Sequence, residues 1–158
     1  MPVSAVPSAL TLPPPPGPLF LAGLGGIGMS GLAQLLRWQG YTVAGSDRET
    51  TGPGRDELYA KLRSQGITTW PQDGSGVRAV RPALLINSTA IEDGNPDFIA
   101  ATELGCARDH RARALAAALN RLPGRQIAIA GSAGKTSVTA WLASTLHHLG
   151  LPVLSVCG

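Results

Sequence analysis

Two glycine-rich turns carry residue types suited to holding phosphate. The first, Gly23-Leu24-Gly25-Gly26-Ile27-Gly28, has the spacing G-x-G-x-x-G and follows the apolar run PLFLAGL. In that spacing the first glycine permits a tight turn and the second lets a phosphate approach the backbone. The third lets helix and strand pack closely. The helix that follows offers unpaired N–H groups and a partial positive charge to an anion. Asp47 lies about 20 residues on, at the end of YTVAGSD, where an acid commonly binds a ribose. The spacing names no particular nucleotide, although NAD is its default partner. The same glycines would also serve a turn that only packs closely.

The second turn is Gly131-Ser132-Ala133-Gly134-Lys135-Thr136-Ser137. The strict phosphate-loop rule asks for a further glycine where Ile129 stands, so that rule fails, but G-K-T-S after an apolar run remains. Backbone N–H groups in such a turn form an anion nest. Lys135 would reach the β- and γ-phosphates of ATP, and Thr136 would ligate Mg2+. An ordinary turn with an exposed lysine is the plain alternative. A simple dehydrogenase needs only the first turn and a simple ATPase only the second.

The elements that must position these turns follow from hydrophobic period and punctuation. Apolar runs predict strands at 18–24, 41–47, 67–70, 83–89, 126–131 and 152–158. Helical spacing predicts helices in 26–40, 56–66, 95–105, 111–120 and 138–150, with Asn95 as a cap and Pro96 in the first turn. PQDGSG, residues 71–76, reads as a turn. Alternating strands and helices with short loops predict an α/β fold, a Rossmann-like parallel sheet with helices on both faces. Residues 1–17, rich in proline, read as a disordered leader; 18–122 form the first domain; a new unit starts at the Pro123-Gly124 break. Trp38, Trp70 and Trp141 read as packing residues. His147 and His148 are adjacent on a helix and cannot share a metal face well.

Composition narrows the function. The chain has 158 residues and a net charge of +3, with no Lys/Arg run and 4% aromatics, so nucleic-acid binding has little support. Cys106 and Cys157 are too few and too far apart for a disulfide framework or a metal site, which suits a reducing cytoplasm. No run of about 18 apolar residues spans a membrane, and the N-terminus does not read as a signal peptide.

Four motifs in order point to a family. GLGGIGMSGLA at 23–33, GSD at 45–47, NSTAIEDGNPDFIAATELG at 87–105 and GSAGKTS at 131–137 resemble the Mur ligases, whose phosphate loop also lacks the upstream glycine. The resemblance runs from about residue 18 to the end. It implies a first domain that binds a UDP-sugar rather than NAD, a central P-loop ATPase domain and a third domain for the incoming amino acid. By that resemblance Gly23, Gly25, Gly26, Ile27, Gly28, Met29 and Ser30 would hold UDP-N-acetylmuramate, with Asp47, Ser88, Thr89 and Ala90 along the same cleft. Gly131, Ser132, Ala133, Gly134, Lys135, Thr136 and Ser137 would bind ATP. Lys135 and Thr136 would be catalytic, and Thr136 the Mg2+ ligand. The implied reaction phosphorylates the lactyl carboxylate with ATP, and the amine of L-alanine then displaces phosphate.

Departures keep other readings open. Ala133 stands where the alanine-adding branch usually has histidine, so a tripeptide-recycling ligase and a non-catalytic UDP-sugar-binding module remain, beside an NAD-binding oxidoreductase domain. CARDHR, 106–111, stands where the family has an apolar strand; Arg108 and Asp109 predict an irregular edge there. His110 and Arg111 match a basic pair of the family and read equally as solvated residues or phosphate contacts. Family members are far longer, so residues 123–158 read as the start of a truncated ATPase domain, and this chain alone is not expected to complete the ligation.

Overall fold

The computed structural model describes residues 10–156. Five parallel strands form one sheet: β1 (Pro18–Ala22), β2 (Thr42–Asp47), β3 (Thr68–Pro71), β4 (Leu84–Asn87) and β5 (Ala107–His110). Their order is β3-β2-β1-β4-β5. The alternation expected from the sequence is therefore a Rossmann-like α/β domain, with β1 central and paired in parallel to β2 and β4.

Period-two alternation along β1 divides the core. Leu19 and Leu21 face a layer built by α1 (Ile27–Trp38), α2 (Arg55–Ser64) and α5 (Arg111–Leu119). Phe20 and Ala22 face α3 (Ser75–Val80) and α4 (Pro96–Glu103). On α1 the residues Leu32, Leu35 and Leu36 are buried at helical spacing, the amphipathic stripe the sequence displays. Asn95 caps α4: its side chain accepts from the Asp97 N–H at 2.9 Å.

Several expectations need correction. The turn read at 71–76 runs into a short helix, α3, started where the Asp73 side chain accepts from the Ser75 N–H at 2.9 Å. CARDHR is not irregular; Ala107–His110 forms β5, in register with Leu84–Asn87. An edge strand faces solvent on one side, so charge is tolerated there: Arg108 lies over the Phe98 ring at 4.6 Å and Asp109 pairs with Arg113 at 3.1 Å. The disordered leader read at 1–17 includes residues 1–9, which lie outside the described residues. Leu12, however, is buried against the core, and the Pro13 carbonyl accepts from the Tyr41 hydroxyl at 2.8 Å. Of the three tryptophans only Trp70 packs on the core; Trp38 and Trp141 are largely exposed.

Beyond Pro123 the helix forms and the strands do not. α6 (Lys135–His148) is regular, but none of its residues is buried. The strand expected at 126–131 is unpaired, as is the described part, 152–156, of the strand expected at 152–158. A strand requires a neighbour's backbone groups, and no other described strand lies beside either segment. Ile127, Val138, Trp141, Leu149 and Leu154 are left exposed, although Val156 touches the main core. Among the described residues no helix is long and apolar enough to cross a membrane.

Candidate phosphate-binding sites

The strand order reverses direction between β1 and β4, which opens a crevice at their carboxyl ends. The first glycine-rich turn leaves β1 there, and Ser88, Thr89 and Ala90 leave β4 beside it. The two loops meet where Ile91 Cδ1 comes within 3.0 Å of the position a Cβ on Gly23 would take.

The turn hangs from the end of β2. The N–H groups of Gly23 and Leu24 both donate to the Ser46 carbonyl, at 2.9 and 2.8 Å, and the Gly26 N–H donates to the Gly23 carbonyl at 3.1 Å. Gly23 has φ +77°, a conformation other residues adopt only with strain. The Gly25 N–H donates to Asp47 Oδ2 at 2.7 Å. A Cβ on Gly25 would lie 2.7 Å from that oxygen and from the Tyr59 hydroxyl. The second glycine is thus held small by a polar cluster behind it, and its N–H is already engaged. Asp47 also lies 3.6 Å from Arg55 Nη1. Burial, with the Asp47 charge added, pushes the Tyr59 hydroxyl well above its usual range.

The open donors lie one step on. Among the described residues the N–H groups of Ile27 and Gly28 have no acceptor, as expected for a first helical turn. Ser30 turns inward, its hydroxyl donating to the Ile27 carbonyl at 3.0 Å, and Met29 is buried in the core. These two expected site residues support the turn from below.

Gly28 has a different reason for being glycine than helix–strand packing. A Cβ there would lie 1.6 Å from Arg111 Nη1 and 2.7 Å from its Cζ. The guanidinium therefore lies directly on Gly28, at the start of α1. No described carboxylate pairs with Arg111. A cation at the positive end of a helix, beside two unpaired N–H groups, is electrostatically unfavourable until an anion joins it. Arg111 is the first residue of α5, directly after β5, and His110 caps that helix: its Nδ1 accepts from the Ala112 N–H at 3.1 Å. His110 Nε2 is buried without a partner. The sequence left this basic pair undecided; the signal that could have promoted it was its place at the end of a strand next to β4.

A cleft of about 530 Å3 opens along the ends of β4 and β5. Asn87, Ser88, Thr89, Phe98, Arg108 and His110 line it. Two of the three expected β4-loop residues thus face a cavity, while Ala90 is exposed.

The second turn stands apart. Gly134 precedes α6 in the left-handed conformation, φ +76°, and Lys135 Nζ donates to the Gly131 carbonyl at 2.8 Å, so the lysine folds across its own loop. Gly131 to Ser137 are all exposed, with Thr136 in the first turn of α6. No hydrogen bond among the described residues joins this loop to the first turn.

A family model for the Mur ligase family, catalytic domain, matches residues 21–122. The chain belongs to the Mur ligase family. The UDP-N-acetylmuramate–L-alanine ligase of Carboxydothermus hydrogenoformans is 40% identical over 140 residues, 88% of this chain and 28% of that protein. The corresponding ligase of Streptomyces coelicolor is 40% identical over 129 residues, 82% of this chain and 26% of that protein. Among solved structures, the UDP-N-acetylmuramate–alanine ligase of Thermotoga maritima superimposes with a TM-score of 0.73 at 32% identity. That match covers 85% of this chain and 30% of that one. This Mur ligase chain therefore spans less than a third of the length of these relatives.

Proposed function

We propose that the chain is the N-terminal part of an ATP-dependent UDP-N-acetylmuramate–L-alanine ligase of peptidoglycan synthesis, and that its β1–β5 domain binds UDP-N-acetylmuramate. The observation that carries this reading is the unpaired Arg111 guanidinium seated on Gly28 beside the free N–H groups of Ile27 and Gly28. Together they form a cradle for a diphosphate, with the helix end adding a fixed partial charge. The cleft lined by Ser88, Thr89 and His110 would take a neutral part of the same ligand.

Two features favour a UDP-sugar over NAD, and a third selects the branch of the family. The acid at the end of β2, Asp47, has Oδ2 held by the Gly25 N–H and Oδ1 near Arg55, which leaves it less to offer a ribose. The loop at 131–137 would be idle in a dehydrogenase. The relatives at 40% identity carry the alanine-adding name, which favours that branch over tripeptide recycling despite Ala133.

ATP belongs at 131–137. The open N–H groups at the start of α6 would face its phosphates, and Lys135 would turn from the Gly131 carbonyl to the β- and γ-oxygens. Thr136 offers one hydroxyl for Mg2+, and no described cluster of three acidic, histidine or cysteine side chains accompanies it. The metal would neutralise phosphate charge there. In the whole ligase the lactyl carboxylate attacks the γ-phosphorus and ADP leaves. The amine of L-alanine then attacks the acyl carbon and phosphate leaves. The contribution of this chain is positioning and charge neutralisation. Titration with UDP and with uridine tests the cradle: UDP binds and uridine does not, whereas equal affinity would remove the diphosphate from the site.

A further inference from the structure

Resting on that reading, we infer that Asp97 is a positioning residue for the diphosphate turn, acting through Ser46. Asp97 is fully buried at the start of α4, on the opposite face of the sheet from α1. Its two oxygens accept from different elements. Oδ2 takes the Ser46 hydroxyl, and Oδ1 takes the Gly74 N–H, at the start of α3, at 3.0 Å. Its own N–H is held by Asn95. One carboxylate thus ties β2 to the starts of two helices.

The consequence runs through the backbone of a single residue. The Ser46 side chain is bound to Asp97, while its carbonyl receives the N–H groups of both Gly23 and Leu24. The next residue, Asp47, receives the Gly25 N–H. The end of β2 therefore suspends three successive N–H groups of the turn, and Asp97 sets where that end lies. A buried carboxylate with only core packing to do would be a costly choice, since an apolar side chain fills space without desolvating a charge. Removing it strands the Ser46 hydroxyl and the Gly74 N–H in the interior, and the Ser46 side of that loss is transmitted to the turn.

The test compares Asp97→Asn, Ser46→Ala, their double variant and Val77→Ala in the 158-residue chain. Val77 is a buried residue of α3 that packs in the same cluster and lies outside the ligand cleft. Two quantities are read at matched folded fraction: the amide nitrogen and proton shifts of Gly23, Leu24 and Gly25, and affinity for UDP-N-acetylmuramate by calorimetry. The expected result is displaced turn amides and affinity lower by on the order of tenfold in Asp97→Asn. Ser46→Ala moves the same amides, the two substitutions are non-additive, and Val77→Ala moves neither quantity. Unmoved amides in folded Asp97→Asn and Ser46→Ala would overturn the inference, as would an equal loss in Val77→Ala. If the unaltered chain binds no UDP-sugar, the functional reading fails by itself, and the amide shifts still decide the positioning role. If Asp97→Asn does not fold, Ser46→Ala decides it.

Discussion

Arg111 is the side chain whose removal separates binding from folding most cleanly. It is half-buried, makes no described ion pair and lies on the one face of Gly28 that a methyl group would occupy. Arg111→Ala should lower affinity for UDP-N-acetylmuramate by roughly 10- to 100-fold, the range of a charge-assisted hydrogen bond, with little change in thermal unfolding. An unchanged isotherm would remove Arg111 from the site. Gly25→Val acts from the other side of the turn. Its Cβ would meet Asp47 and Tyr59, so the turn must shift, and affinity should fall in a variant that still folds. Lys135→Ala should leave UDP-sugar binding nearly intact and abolish ATP binding, because no hydrogen bond among the described residues joins its loop to the first turn; a large loss of UDP-sugar affinity would show one ligand spanning both. At this scale the glycine pattern was legible in the chain, whereas its partners were not. The 22 positions between Gly25 and Asp47, and the 83 between Gly28 and Arg111, are bridged only by folding.

Among the elements, those with a buried apolar stripe were readable and those defined by their neighbours were not. Leu32, Leu35 and Leu36 announce α1, and Asn95-Pro96 announces α4. Six-residue α3 hides behind a turn-like cluster, and β5 hides behind Arg108 and Asp109, which only an edge position tolerates. The apolar run at 126–131 has the composition of a buried strand, yet strand formation depends on a partner that composition does not supply. These differences have measurable consequences. Leu32→Ala, at a fully buried position of α1, should cost about 2–5 kcal/mol of stability by chemical denaturation. Amide exchange in α6, which buries nothing, should be orders of magnitude faster than in α1. Equal protection would mean that α6 is covered.

For the whole molecule, the parallel order β3-β2-β1-β4-β5 brings together three chain segments far apart in sequence. The turn after β1, the loop after β4 and the start of α5 meet at one crevice because parallel strands place all their carboxyl ends on one side. The fold class was readable from the alternation of elements, and the family from four motifs in order. The closure of Asp47 on Gly25, which argues against NAD, required the structure. The most direct test is a calorimetric titration of this chain with UDP-N-acetylmuramate, with NAD run in parallel. The account predicts saturable binding of the UDP-sugar, abolished by excess UDP, and no heat beyond dilution with NAD. Binding of NAD with silence toward the UDP-sugar would contradict it.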